Sequence, residues 1–168
     1  MRVSPAGLLA HSEGEALAMA DHVTMITHNH PDGLTGARAV SLAVFWARSG
    51  LDSGAIQERL GQRFGYDLTA STDELRCFYR RTEKAADSVP QALICALEAS
   101  SYEDAVRNAV SIGGDADTLA AIAGGVAEAR FGMPAEIAGE AWGFLPNDMR
   151  RVIRLLYDQC QEDGENQM

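Results

Sequence analysis

Asp115, Asp117 and Thr118 place two carboxylates and a hydroxyl within one helical turn, directly after Gly113 and Gly114. Glycines at that point give the backbone freedom to bend the oxygens inward. The chemistry this suits is that of a hard cation: Mg²⁺ and similar ions prefer oxygen ligands, and carboxylates so close repel unless a cation or hydrogen bonds compensate. The same residues have a structural use, because Asp at a helix start caps free N–H groups and complements the positive end of the macrodipole. Spacing alone leaves both readings open. His28 and His30 bracket Asn29 just before Pro31, in a turn where an imidazole can face a cleft, although a close His pair also suits metal. In the structural alternative His28 caps the preceding helix and His30 is solvated. Thr72-Asp73-Glu74 is another oxygen-rich stretch, but the Ser71 to Glu74 spacing of a capping box explains it without metal. No Ser-His-Asp or Cys-His nucleophile system is visible.

The elements that must position these groups are helical. Segments between turn signals show a helical period, and no β-branched run alternates at period two, so the fold class is all-α. Ser12 with Glu15 opens a helix that ends before His28. Leu34 to Ala47 is apolar on almost all sides, as a buried central helix is. Asp52 or Ser53 caps a helix that closes at Gly65. Ser71 with Glu74 opens another, Arg80 to Ser88 reads as a polar loop, and Pro90 restarts helix as first-turn prolines do. Ser101 caps a helix pointing into the glycine pair. Beyond Asp115, the residues Leu119, Ile122, Ala123, Val126 and Ala127 follow helical spacing, so the acidic cluster sits at a helix N-terminus. A last amphipathic segment from Asn147 decays into an acidic tail over 161–168, expected to fray.

Composition narrows the function. At 168 residues the chain is long enough for one domain with a real core, and 46% apolar with 23% charged residues excludes a disordered chain. A formal charge of -10 repels phosphate backbones, which argues against nucleic acid. No apolar run is long enough to cross a bilayer and no signal peptide is evident, giving the expectation of no membrane partner and a cytoplasmic location. Cys77, Cys95 and Cys160 are odd in number and widely spaced, as reduced thiols are. Phe45, Trp46 and Trp142 could stack on a base, but Phe45 and Trp46 suit the core better.

The run Gly113-Gly114-Asp115-Ala116-Asp117-Thr118-Leu119-Ala120-Ala121-Ile122-Ala123-Gly124 resembles the second metal-binding motif of the ADP-ribosylglycohydrolase family. Met1-Arg2-Val3-Ser4-Pro5, Thr27-His28-Asn29-His30-Pro31 and Ser88-Val89-Pro90-Gln91-Ala92 resemble other segments of bacterial members, in the family's order. The resemblance implies a compact multi-helix orthogonal bundle that hydrolyses an N- or O-glycosidic bond to ADP-ribose, acting on ADP-ribose or an ADP-ribosylated substrate. It implies a two-metal site of Mg²⁺ or Mn²⁺, whose second half maps onto Asp115, Asp117 and Thr118. It also sets the histidine segment beside the bound nucleotide, making one of His28 and His30 a substrate contact.

The family's Thr-Asp-Asp-Thr segment, glycine-rich start and N-terminal acidic residue have no counterpart here. The resemblance therefore implies the C-terminal portion of the domain, over residues 1–160, with an incomplete site and no assignable catalytic residue. Two alternatives accompany it: a non-catalytic relative serving as a nucleotide-binding or interaction module, and one half of a split enzyme. In either case the isolated chain is expected to bind divalent metal weakly and to hydrolyse near background. A homo-oligomer or partner chain is expected to cover the face left by the missing segment.

Overall fold

The computed structural model describes residues 1–165, with side chains described through Cys160. Its ten helices, with no strand among the described residues, are α1 (Ser4–Leu9), α2 (Glu13–Met25), α3 (Pro31–Arg48), α4 (Ser53–Phe64), α5 (Thr72–Phe78), α6 (Ala85–Glu98), α7 (Tyr102–Ser111), α8 (Ala116–Phe131), α9 (Ala135–Phe144) and α10 (Asn147–Glu165). The all-α class stands. The helices form two compact units, one over Met1–Gly132 and the other beginning at Met133. No helix of the described chain is long and apolar enough to cross a membrane.

α3 is the axis of the first unit and packs against α1, α2, α4, α6 and α8. Its all-round apolar sequence requires this, since Val40, Leu42, Ala43, Val44 and Trp46 leave no face for solvent. Leu42, Ile56, Leu60, Leu93 and Leu119 are fully buried, and each contributes about 1.5–3 kcal/mol relative to exposure. Polar ties fix the helices where apolar packing alone would let them slide. Ser41 Oγ, buried in α3, donates to the Ala16 carbonyl of α2 at 3.0 Å. Arg130 at the end of α8 donates to the free carbonyls of Ala96, Leu97 and Ala99 and to Ser53 Oγ, closing the C-terminus of α6.

Local capping explains several helix starts. Ser12, Asp52, Ser71 and Ser101 each accept a backbone N–H as N-caps, and Ser71 with Glu74 completes a capping box. Thr72 is thereby committed to structure, since its backbone N–H and hydroxyl both donate to Glu98 at 2.6 Å. Four elements differ from the sequence reading. α6 begins at Ala85, so residues 85–88 are helix and Pro90 lies inside it; Thr82 secures that first turn through Asp87 and Ser88 rather than through a local cap. α1 and α9 went unread because neither has a side-chain cap and both are short. α10 extends to Glu165, so part of the segment expected to fray is helical, and residues 166–168 lie outside the described residues. In the second unit Trp142 of α9 faces the guanidinium groups of Arg150 and Arg154 of α10.

Glu13 ties α2 to α3 and α4: its carboxylate accepts Trp46 Nε1 at 2.8 Å and pairs with Arg63 at 2.7 Å and Arg59 at 3.4 Å. The Trp46 hydrogen bond, helped by the two arginines and opposed by burial, holds the carboxyl below its ordinary 4.5. A depressed folded value means that the stabilisation is complete above pH 4.5 and is lost as pH falls through the lower folded value. Urea unfolding of Glu13→Gln should show a deficit at pH 7, at most about 1 kcal/mol for so exposed a network, that closes as pH drops below 4.5. A deficit that persists undiminished at pH 3 would assign it to packing.

Candidate functional site

α7 ends at Ser111 with Ile112 as its C-cap, and the chain turns into α8 through Gly113 and Gly114 at φ of +79° and +76°. Two successive left-handed residues are routine only for glycine. Asp115 follows at the N-cap position of α8 but makes no side-chain capping hydrogen bond. The structural reading of this aspartate, that it serves as a cap, therefore does not describe its geometry.

Asp115 instead lines a cleft of about 590 Å³ in the first unit. Thr118 and Ile122 of α8, His28 of the α2–α3 turn, and Ser88 and Val89 of α6 share that wall. Thus Asp115, Thr118 and His28, up to 90 residues apart in sequence, meet in one place. Asp117 is exposed and stands beside the cleft rather than on its wall. A hydrogen bond shared with Asp115, then the Thr118 N–H at 2.9 Å, holds its carboxyl below the usual carboxylate value.

The histidines part company. His28 Nδ1 is 2.8 Å from Thr27 Oγ1, and the ring lines the cleft. His30 is the N-cap of α3: its Nδ1 accepts the Asp32 N–H at 3.3 Å, and its side chain is 75% exposed. Its observed role is structural. The sequence reading missed Glu83 and Arg2, which add a carboxylate and a guanidinium to the cleft wall. Glu83 falls in an irregular stretch with no periodicity to flag it, and Arg2 lies just before a helix too short to announce itself.

Among the described residues no group of three or more His, Cys, Asp or Glu side chains is arranged to hold a metal ion. The donors at the turn are nevertheless of the right chemistry for a hard cation: two neighbouring carboxylates and a hydroxyl, with solvent or a ligand free to complete the shell. The second unit has its own hollow of about 400 Å³, lined by Asn147, Arg150, Arg151 and Arg154, a cationic surface of different character.

The first unit is thus a helical bundle in which acidic residues, a histidine and a threonine meet on the wall of a largely apolar cleft. The family model for ADP-ribosylglycohydrolase matches residues 1–166, and the chain belongs to that family. The search of curated proteins returned no match.

Gly113 and Gly114 differ in what surrounds them. A Cβ on Gly113 would meet nothing within 4 Å, whereas one on Gly114 would lie 2.6 Å from Cε1 of Tyr79. Gly113→Ala should cost about 1–2 kcal/mol, for left-handed strain alone, and Gly114→Ala a further 1–3 kcal/mol for the collision. Chemical denaturation measures both; equal losses would show that Tyr79 yields without cost.

Proposed function

We propose that this chain is a hydrolase of glycosidic bonds to ADP-ribose, with the cleft of the first unit holding the ADP-ribosyl group. The carrying observation is Asp115, which stands at a helix N-cap, leaves the cap unmade and lines the cleft together with Thr118 and His28. Family membership supports the reaction class. Asp115, Asp117 and Thr118 are the residues that would hold Mg²⁺ or Mn²⁺, which when bound would orient ribose hydroxyls and lower the pKa of water. His28 would donate a hydrogen bond to a hydroxyl or phosphate oxygen of the nucleotide, and Arg2 adds a positive charge that suits the diphosphate. His30 is left to its capping role.

Calorimetry with ADP-ribose in the presence of Mn²⁺ tests this directly. Asp115→Asn should weaken binding by at least about tenfold and His28→Ala by about five- to tenfold, the range of one ordinary hydrogen bond, while His30→Ala leaves it unchanged. Release of ADP-ribose from ADP-ribosyl-arginine or ADP-ribosyl-serine, measured alongside, separates the enzyme from a non-catalytic nucleotide-binding module. Wild-type affinity in Asp115→Asn would overturn the assignment of the turn.

A further inference from the structure

Tyr79 lies outside everything assigned above, yet it touches the turn on which that assignment rests. It follows α5 as the C-cap residue and is 8% exposed. Its ring lies edge-on against Gly114: a Cβ there would be 2.6 Å from Cε1 and 3.4 Å from both Cζ and the hydroxyl oxygen. That hydroxyl is buried and has no hydrogen-bond partner among the described residues.

A buried phenol O–H without an acceptor is costly, because its bond to water has been given up and nothing replaces it. Such groups are rare, and each calls for a physical reason. Packing alone does not supply one, since phenylalanine would fill the same space without the penalty. The turn lies against it, since a Cβ on Gly114 would stand 3.4 Å from the hydroxyl oxygen, and the backbone of such a turn carries carbonyl acceptors. Gly113 and Gly114 make this turn unusually free to adjust, because the peptide between two glycines can rotate with no Cβ to obstruct it.

We infer that Tyr79 is a positioning residue for the Asp115 to Thr118 turn, its hydroxyl donating to a backbone carbonyl of Gly113–Asp115 when Asp115 and Thr118 take up a divalent cation. The inference rests on the reading of those residues as a cation site. The bond is made only in the cation-bound arrangement, so the hydroxyl favours that arrangement at the expense of the other. It costs stability without metal and gains affinity with it. A residue that merely fills the core moves both quantities in the same direction.

The full-length chain and its Tyr79→Phe variant carry the test, with thermal unfolding measured without metal and Mn²⁺ titrated while the electron paramagnetic resonance of the free ion is followed. Without metal the variant should melt at the same temperature as wild type or a few degrees higher, about 1–4 °C. Its Mn²⁺ affinity should be about tenfold weaker, and the rise in melting temperature on adding Mn²⁺ correspondingly smaller. A variant that binds Mn²⁺ as wild type does would overturn the inference while leaving the site intact. A clearly lower melting temperature without metal would overturn it too, by showing the hydroxyl already bonded. Failure of the wild type to show any saturable Mn²⁺ binding would sink the cation site itself, and this role for Tyr79 with it.

Discussion

Two consecutive left-handed glycines between α7 and α8 are the constraint on which the rest of the cleft depends. A residue with a Cβ at either position would resist the turn, and at Gly114 it would also collide with Tyr79. Because the chain reverses so sharply there, Asp115 reaches the N-cap position of α8 with backbone angles of -87° and 66°, outside the extended geometry of the four serine and aspartate caps elsewhere in the unit. Its carboxylate makes no bond to the N–H groups of the helix start, and the residue lines the cleft.

That placement has consequence only because α8 cannot rotate. Leu119, Ala123, Val126 and Ala127 lock the helix into the core, and Arg130 pins its far end to α6 and α4. The opposite arrangement holds for His28. It belongs to the turn entering α3, where His30 and Asp32 secure the helix start and Gly33 lets α3 approach the His28 backbone closely. The central helix of the unit thus sets the height at which His28 meets the cleft. The turns carry Asp115 and His28, and the packed helices that flank them fix where those turns stand.

Local signals made much of this legible from the sequence. Ser12, Ser71 and Ser101 mark their helices because a cap is a bond between residues two or three apart, and the apolar run of α3 can only be a core helix. Asp115 and Thr118 were legible for the same reason, as close neighbours behind a glycine pair. What depends on distant partners was not. The start of α6 is set by Thr82, while Pro90 sits farther inside the helix than its usual first-turn preference suggests. Spacing could not separate His28 from His30, since only the placement of α3 makes one a cap and leaves the other on the cleft wall. Tyr79 and Glu83 come to the turn across some thirty residues of chain, and nothing in their own neighbourhoods announces it.

The central claim, that the glycine turn aims oxygen ligands into the cleft instead of capping a helix, is open to one direct measurement. Anomalous diffraction at the manganese edge, from crystals grown with Mn²⁺, locates the ion without reference to activity. The account predicts a peak within bonding distance of the Asp115 carboxylate and the Thr118 hydroxyl, on the cleft wall that carries His28. A peak elsewhere, with the Asp115 carboxylate folded back onto the N–H groups at the start of α8, would contradict it.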